Sequence, residues 1–459
     1  MTTTADCDLL IIGGGQAGPP LAHAAAKAGR RVVLVERKQL GGSCVNFGCT
    51  PTKAVFASAR VAHLARRGAD YGLRIPSVEV DFKAVLARAK AIVAESVAHL
   101  DRGFEGSDNP RLIRGHARFA GRDGAHFRID IDGRALSAAQ VVLDTGTRNR
   151  VPPIDGVGDI AFIDADHWLD HERLPRHLLI VGGGYVGLEM GQFYRRMGAQ
   201  VTIAHAQAQI AEREDRDVAD ALQRVLEQEG IAFVLEHRAT RFVRTPSGVR
   251  TTLATEGGTR DIETSHLFLA VGRKPNTDDL RLDTVGIEVS DKGIVEVDER
   301  LATTTPGIWA AGDIRGGPMF THTAWDDHRI LASQLLGDGS RTTDRVVPYA
   351  VFTDPELGRV GMTERQAVDA GRNVRIGRFE MRNNGKAREL GEVAGFSKVV
   401  VDAESRQILG AAVLAVEGAE LVHLYVDLMN AHAPCDVLRD AIHIHPTLAE
   451  AMQSAVADL

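Results

Sequence analysis

Two cysteines, Cys44 and Cys49, stand in the segment GGSCVNFGCTPTK of residues 41–53. A turn in the short stretch between them would bring the two sulfur atoms within disulfide range. Thr50 and Pro51 read as the N-cap and the first position of a following helix. A thiol at a helix N-terminus is favoured as thiolate, because the positive end of the helix dipole stabilises negative charge. We therefore predict a redox-active thiol pair; the alternative is a pair of inert buried thiols.

A nucleotide-binding unit precedes the cysteines. The apolar strand of residues 9–12 leads into Gly13, Gly15 and Gly18, an alanine-rich helix and a second strand that ends in Glu36. The glycines permit a tight turn and the close approach of a pyrophosphate to the helix N-terminus, and the acid accepts hydrogen bonds from ribose hydroxyls. The complete unit, strand through acid, predicts a dinucleotide site.

The same unit recurs 169 positions later without a gap. Residues 178–181 form the strand, and Gly182, Gly184 and Gly187 repeat the glycine pattern. We therefore predict two dinucleotide sites on one chain. Beside a redox dithiol, two such sites suggest a path for electrons from a nicotinamide through a flavin to sulfur.

The repeat isolates one difference, because Glu36 of the first unit corresponds to His205 of the second. A carboxylate at this position would repel the 2′-phosphate of NADPH, whereas a protonated histidine could assist it. We expect NAD(P)H as the electron donor and favour NADPH, although the nearest arginine is Arg213. The alternative is that His205 is a solvated strand end without preference.

The composition is that of a globular protein with several domains. The chain has 459 residues, of which 44% are hydrophobic and 25% charged, with a net charge of −7 and both signs interspersed. We expect no nucleic-acid partner, because lysines and arginines are not clustered, and no membrane span, because there is no apolar run of about 18 residues. The polar N-terminus shows no signal peptide, so we expect a cytoplasmic protein in which a cysteine pair is catalytic.

Three further motifs follow the second glycine unit, namely GRKPN at 272–276, TTTPGIWAAGD at 303–313 and HIHPTLAE at 443–450. In this order the motifs resemble those of class I pyridine nucleotide–disulfide oxidoreductases, flavin enzymes that include dihydrolipoamide dehydrogenase, glutathione reductase and mercuric reductase. The resemblance covers essentially the whole chain. It is closest to a mercuric reductase-like bacterial branch that includes flavin reductases linked to hypochlorous-acid resistance. Mercuric reductases carry a C-terminal cysteine pair, which is missing here because Cys435 is the last cysteine.

The resemblance implies an α/β fold with two Rossmann-like dinucleotide-binding domains, one for FAD and one for NAD(P), and a C-terminal α+β dimerisation domain. Residues 1–150 would form the FAD domain with the redox disulfide, and residues 151–279 the NAD(P) domain. Residues 280–345 would form a central FAD-binding region, and residues 346–459 the dimerisation domain.

The resemblance also assigns roles to individual residues. Cys49 would lie next to the flavin and Cys44 would exchange with substrate, while Lys53 and Glu189 would pair near flavin N5. Asp313 would bind the ribityl chain. The remaining residues expected at FAD are Gly13, Gly15, Gly18, Glu36, Gly42, Ser43, Thr145, Gly146, Phe320 and Thr321. Those expected at the nicotinamide dinucleotide are Gly182, Gly184, Tyr185, Gly187, His205 and Gly272.

His445 and Glu450 are expected to carry the acid–base chemistry that thiol–disulfide exchange requires. Histidine suits proton transfer near neutral pH, and a carboxylate on its other nitrogen fixes the tautomer. In the family this pair comes from the other subunit, which implies a homodimer. The His445–Pro446 bond is a candidate cis peptide, and no residues show the spacing of a structural zinc site.

The resemblance thus implies an oxidoreductase that passes electrons from NAD(P)H through FAD and the Cys44–Cys49 disulfide to a small disulfide or thiol-reactive substrate. Three alternatives stay open: a dihydrolipoyl dehydrogenase, a reductase of Cu(II), Hg(II) or another oxidant, and a non-enzymatic flavin redox sensor. Asp144, which replaces the usual alanine of the family, has no explanation in the sequence.

Overall fold

The computed structural model describes residues 5–459. A mainly parallel sheet organises the N-terminal part of the chain. The strands of this part are β1 (Cys7–Ile12), β2 (Val32–Glu36), β3 (Arg111–Arg114), β4 (Ala117–Asp123), β5 (His126–Ile131), β6 (Arg134–Leu143) and β7 (Thr147–Asn149), of which β7 lies outside the sheet. Its helices are α1 (Gly18–Lys27), α2 (Gly42–Asn46), α3 (Cys49–Arg66) and α4 (Phe82–Arg102). The strand order is β3-β2-β1-β6-β5-β4. Strands β1, β2, β3 and β6 pair in parallel, and β4 and β5 extend the sheet as antiparallel neighbours.

A second parallel sheet, in the order β11-β10-β9-β15-β8, forms the middle of the chain. The strands of this part are β8 (Ile163–Asp164), β9 (His177–Val181), β10 (Gln200–Ala204), β11 (Ile231–Val234), β12 (Arg238–Thr245), β13 (Gly248–Thr255), β14 (Gly258–Thr264), β15 (His266–Leu269) and β16 (Arg273–Pro275). Its helices are α5 (Tyr185–Met197) and α6 (Arg216–Gln228). Strands β12–β14 form an antiparallel sheet, and β16 pairs with β7.

The chain then returns to the first sheet before it enters the C-terminal part. Strand β17 (Ile308–Ala310) pairs in parallel with β6, and helix α7 (Thr321–Leu336) follows. The C-terminal sheet is antiparallel, in the order β18-β19-β22-β21-β20. Its strands are β18 (Pro348–Val351), β19 (Glu356–Gly361), β20 (Val374–Glu380), β21 (Phe396–Asp402) and β22 (Ile408–Ala415). The helices here are α8 (Glu364–Asp369), α9 (Gly385–Glu389), α10 (Gly418–Leu421), α11 (His423–Asn430), α12 (Asp436–Asp440) and α13 (Glu450–Ala455).

The two parallel sheets are built alike. In both, the strand before the glycine loop is central and apolar, so that its residues are covered on both faces; Leu10 in β1 and Ile180 in β9 are fully buried. Parallel strands covered by helices on both faces need such continuous apolar sequence. The predicted fold class is confirmed: two dinucleotide-binding folds and a C-terminal α+β unit. Within residues 5–459, no helix has the length and hydrophobicity needed to span a membrane.

Candidate active site

The cysteine pair lies where two helices meet. Cys44 is in α2, and Cys49 is the first residue of α3. The predicted N-cap is therefore wrong: Gly48 occupies that position, without a side-chain cap, and Thr50 is already helical. The hydroxyl of Thr52 donates instead to the Gly48 carbonyl oxygen at 2.8 Å. The thiol of Cys49 therefore stands at the first position of an 18-residue helix, where the positive end of the helix dipole stabilises a thiolate.

The two thiols are unlike in acidity. The hydrogen bond from Cys44 lowers the pKa of Cys49 to about 6, and burial of the sulfur opposes this effect. The hydroxyl of Thr321, 3.1 Å from the Cys49 sulfur, and the charge of Lys53 lower it further. The same sulfur–sulfur hydrogen bond, with burial, raises the pKa of Cys44. Near neutral pH, Cys49 is thus the thiolate and Cys44 the thiol.

One turn after Cys49, Lys53 pairs with Glu189 of α5. The Lys53 ammonium lies 3.2 Å from Oε2 of Glu189 and 4.1 Å from the centre of the Phe352 ring. The other oxygen of Glu189 accepts a hydrogen bond from the Phe352 N–H at 2.7 Å. The predicted pair therefore forms, and both partners are fixed by Phe352, which precedes β19 and which sequence reasoning missed. This contact joins all three parts of the chain beside the cysteines.

Both glycine loops are shaped for a dinucleotide. A Cβ atom on Gly13 would lie 2.1 Å from the carbonyl oxygen of Asp144, and one on Gly182 would lie 2.2 Å from that of Ala270. Both residues also have positive φ angles, 111° and 120°. Only glycine tolerates this backbone and this contact, so the two loops hold the same conformation. Gly15, Gly18, Gly184 and Gly187 complete them.

The residues expected at FAD converge on the first loop. The Gly41 N–H donates to the Gly14 carbonyl oxygen at 2.7 Å, and a Cβ on the adjacent Gly42 would lie 3.0 Å from Cα of Gly15. Ser43 is the second residue of α2. The segment that bears the cysteines is therefore fastened directly to the dinucleotide loop.

The far side of the same cleft is held by hydrogen bonds between distant segments. The hydroxyl of Thr145 donates to the carbonyl oxygen of Asn276 at 3.0 Å, and the Asn276 N–H donates to that of Gly146 at 3.0 Å. Gly272 precedes β16 and accepts a hydrogen bond from Arg150 N–H at 3.0 Å. The carboxylate of Asp313 accepts from Thr147 at 2.9 Å. The glycine cradle, the Glu36 carboxylate and the half-buried Asp313 fit the phosphates and hydroxyls of FAD.

Asp144 completes the start of α1. Its Oδ2 accepts a hydrogen bond from the Gly18 N–H at 2.7 Å, and burial raises the pKa of this carboxyl group well above its ordinary value. The side chain thus satisfies a helix-start N–H that an alanine at this position would leave open. Sequence reasoning missed this contact because the partners are 126 positions apart.

A second missed carboxylate, Asp327 of α7, supports the Asp313 turn. It is fully buried and accepts hydrogen bonds from the Gly312 N–H at 2.8 Å and from Nε of Arg315 at 2.8 Å. Arg345 contacts its other oxygen. Because two guanidinium groups and a backbone N–H surround the charge, its burial is compensated. No motif in the sequence indicated this role.

The two aromatic residues expected at the cofactors, Tyr185 and Phe320, are joined in one stack by Tyr349. Tyr185, the first residue of α5, faces Tyr349 with ring centres 5.7 Å apart, and Tyr349 stacks on Phe320 at 5.2 Å. The Tyr185 hydroxyl donates to the buried Glu214 at 2.7 Å. The stack links the second glycine loop to the segment around Thr321 that contacts Cys49.

His205 does not stand free at a strand end. It is buried, and its Nδ1 accepts a hydrogen bond from the Gly183 N–H at 3.1 Å. An accepting Nδ1 requires a neutral ring, and burial lowers the pKa of His205. The reason for favouring NADPH, a protonated His205 beside a phosphate, therefore does not hold.

His445 and Glu450 form the predicted pair near the C-terminus. Nδ1 of His445 lies 2.9 Å from Oε1 of Glu450, whose Oε2 accepts from the Thr447 N–H at 2.8 Å. These hydrogen bonds lower the pKa of Glu450, the backbone contact first. The His445–Pro446 bond is cis, as predicted. The side chain of His445 is 77% exposed, and its hydrogen bond to Glu450 uses Nδ1 rather than Nε2.

The other cysteines and possible metal ligands do not add to the site. Cys7 and Cys435 are both buried. In the part of the chain that the structure describes, no three His, Cys, Asp or Glu side chains are grouped to hold a metal ion.

Known proteins share this architecture over the full length. The family described as pyridine nucleotide-disulphide oxidoreductase matches residues 7–327, and its dimerisation domain matches residues 347–456. The chain is 32% identical to a dihydrolipoyl dehydrogenase of Cupriavidus necator over 459 residues, 98% of this chain and 97% of the relative. It is 33% identical to the probable pyridine nucleotide-disulfide oxidoreductase RclA of Escherichia coli over 448 residues, 96% of this chain and 97% of the relative.

The solved structures include a Cu(II) complex of the HOCl-induced flavoprotein disulfide reductase RclA from Escherichia coli. It superimposes with a TM-score of 0.88 at 32% identity, over 98% of this chain and 99% of the other. Together with the glycine loops, the cysteine pair and the matched domains, these similarities identify the chain as an FAD- and NAD(P)-dependent member of the pyridine nucleotide–disulfide oxidoreductase family.

Proposed function

We propose that this enzyme reduces a small disulfide or another thiol-reactive oxidant with electrons from NAD(P)H, through FAD and the Cys44–Cys49 pair. The observation that carries the proposal is the unequal pair of thiols. Cys49 is stabilised as thiolate by Cys44, by the Thr321 hydroxyl and by Lys53, whereas the pKa of Cys44 is raised. An inert buried pair would not need a helix start, a hydroxyl donor and an ammonium group around one sulfur.

Bound FAD supplies two-electron chemistry between a nicotinamide and a sulfur atom. The protein residues position that chemistry and hold charge. We assign the first glycine loop, Glu36 and Asp313 to binding FAD. Lys53, held by Glu189, provides a fixed positive charge beside the redox centre. The second glycine loop and Tyr185 would bind the nicotinamide dinucleotide.

Each thiol has a different task in the oxidative half-reaction. The Cys44 sulfur attacks the substrate disulfide, forms a mixed disulfide and releases one substrate thiol. The Cys49 thiolate then attacks the Cys44 sulfur, closes the Cys44–Cys49 disulfide and releases the second thiol. Two electrons pass to the substrate, and two protons are taken up by its sulfur atoms.

A base is needed at Cys44 because its pKa is raised. We assign this role to His445, which would take the Cys44 proton on Nε2 and return it to the leaving thiol. Glu450 holds the Nδ1 side of the ring and so fixes the tautomer. Because the His445 side chain is 77% exposed, we propose a homodimer in which it serves the cysteine pair of the other subunit; the matched dimerisation domain supports this assembly.

Metal-ion reduction is a second candidate. RclA, with a TM-score of 0.88, was solved as a Cu(II) complex, and a pair of thiols is a good ligand set for soft metal ions. A dihydrolipoyl dehydrogenase activity is a third candidate, supported by 32% identity to such an enzyme. All three candidate activities use the same dithiol. Because thiols stay reduced most readily in the cytoplasm, we propose a cytoplasmic location for the protein.

Single-turnover measurements distinguish these substrates. The enzyme is reduced anaerobically with one equivalent of NADH and mixed with lipoamide, glutathione disulfide or Cu(II), while the reoxidation of the thiols is followed. The proposal predicts rapid reoxidation by at least one disulfide and loss of that reaction in Cys44→Ser, with Cys435→Ser as the control. Reoxidation by Cu(II) alone would favour the metal-reductase candidate and contradict the disulfide assignment.

The shared site is tested by mixing subunits. Dimers of Cys44→Ser and of His445→Ala are each expected to be inactive toward the disulfide. Mixed dimers carry one intact Cys44–His445 combination across the interface and should regain activity. If mixing restores nothing, His445 does not act on the cysteine pair of the other subunit.

A further inference from the structure

His205 takes the place in the second glycine loop that Glu36 takes in the first. Oε2 of Glu36 accepts a hydrogen bond from the Gly14 N–H at 2.7 Å, and Nδ1 of His205 accepts one from the equivalent Gly183 N–H at 3.1 Å. The ring also lies against the loop, because a Cβ atom on Gly183 would be 2.9 Å from its Cγ. The two residues are thus structural counterparts, but His205 lacks the second carboxylate oxygen that would face a ribose.

A carboxylate is nevertheless present beside the ring. Oε1 of Glu212 lies 3.0 Å from Nε2 of His205. The Glu212 side chain is 53% exposed, whereas that of His205 is 10% exposed, so the carboxylate stands at the rim of the loop. The backbone holds it there, since the N–H of the preceding Ala211 donates to the Gly183 carbonyl oxygen at 2.9 Å.

The proton on His205 lies on the side of the ring that faces Glu212. Because Nδ1 accepts from Gly183, the neutral ring carries its proton on Nε2. Nε2 is shielded by protein yet makes no aligned hydrogen bond within residues 5–459, even to the nearby Glu212. Because Nε2 is covered and lies 3.0 Å from Oε1 of Glu212, it is the exposed carboxylate of Glu212 that is left to accept a hydrogen bond from a ligand hydroxyl.

The loop offers little to a phosphate. Residues 206–213 read AQAQIAER, so that Arg213 is the single cation, and it follows directly on the negatively charged Glu212. A 2′-phosphate is normally held by one or more positive side chains. Here it would approach a carboxylate first.

We infer that Glu212, positioned by His205, accepts hydrogen bonds from the adenosine ribose hydroxyls and makes the enzyme select NADH over NADPH. The carboxylate that the first unit supplies at its strand end is supplied in the second unit by the loop, through an intervening histidine. This reverses the preference that His205 alone suggested. The inference goes beyond the proposed function, because it concerns the electron donor and requires only the nicotinamide site of the family.

The test is equilibrium binding of NAD⁺ and NADP⁺ to the FAD-loaded wild-type enzyme by calorimetry. We expect NAD⁺ to bind at least about tenfold more tightly, a difference of about 1.4 kcal/mol. In Glu212→Gln the charge is removed with little change in shape, and the ratio should fall to about threefold or less, through tighter NADP⁺ binding. The stopped-flow rates of flavin reduction by NADH and NADPH should change in the same direction.

Glu236→Gln is the matched control. Glu236 is an exposed acid on the neighbouring loop, and its backbone N–H donates to the Gln207 carbonyl oxygen at 3.0 Å. Glu236→Gln should leave the ratio of NAD⁺ to NADP⁺ affinity unchanged. The inference is overturned if wild-type enzyme prefers NADP⁺, or if Glu236→Gln shifts the ratio as much as Glu212→Gln. Because NAD⁺ and NADP⁺ bind without turnover, a failure of disulfide reduction would not affect this outcome.

Discussion

Removing the Thr321 hydroxyl tests how the reactive thiolate is stabilised. Thr321→Val keeps the shape of the side chain but removes the group 3.1 Å from the Cys49 sulfur. A hydrogen bond to a charged group contributes about 1.5–3 kcal/mol, and about 1.36 kcal/mol corresponds to one unit of pKa. The variant should therefore raise the pKa of Cys49 from about 6 to roughly 7–8.

The assay is a pH titration of the two-electron-reduced enzyme, followed by thiolate–flavin charge-transfer absorbance and by the rate of alkylation with iodoacetamide. The thiolate is the basic form, so a lowered pKa keeps the signal down to pH about 6 and loses it below. In Thr321→Val the loss should begin at higher pH. Thr323→Val is the matched control, because the Thr323 hydroxyl is buried without a hydrogen-bond partner among the described residues. An unchanged midpoint in Thr321→Val, or an equal shift in Thr323→Val, would refute the reasoning.

Three other variants test the surrounding contacts. Asp144→Ala leaves the Gly18 N–H without its acceptor and should lower the free energy of unfolding by about 1–3 kcal/mol. Burial raises the pKa of the Asp144 carboxyl group above its unfolded-state pKa of 3.8. The resulting stabilisation is therefore complete below pH 3.8 and is lost as the pH rises through the folded-state pKa. Asp144→Asn, which stays uncharged, should thus gain stability over wild type at higher pH in thermal melts. Glu189→Gln removes the charge opposite Lys53 and should slow flavin reduction by NADH about tenfold, one unit of about 1.4 kcal/mol, in stopped flow. Glu450→Gln should shift the pH profile of disulfide reduction while leaving flavin reduction by NADH unchanged, since its contacts are with His445 and the adjacent Thr447 N–H.

Local sequence was sufficient to predict both glycine units. The strand, turn and helix of each unit are set by neighbouring residues, so the predicted bounds differ from those observed by only one or two positions; β9, for example, begins at His177 rather than at 178. The start of α3 was placed two residues late, because Thr50 resembles an N-cap while Gly48 provides the turn without a side-chain cap.

Contacts between distant segments could not be predicted in this way. Thr321 reaches Cys49 across 272 positions, and Asp144 reaches Gly18 across 126. No periodicity or motif links such pairs; they meet because β6 and the start of α7 converge on the same cleft. His205 is an example, since its contact with Glu212 depends on the path of the loop and is the basis for proposing NADH rather than the NADPH expected from the residue type.

Anaerobic titration with NADH tests the central claim, the passage of electrons through the cysteine pair, most directly. The account predicts a long-wavelength charge-transfer band after two electrons in wild type, where the dithiol is reduced and the flavin is oxidised. In Cys44→Ser the free Cys49 thiolate should show the band before NADH is added and lose it as the flavin is reduced, and Cys49→Ser should show no band. If the wild-type flavin is reduced without that band, or if Cys49→Ser retains it, Cys49 does not contact the flavin as thiolate and the proposed relay is wrong.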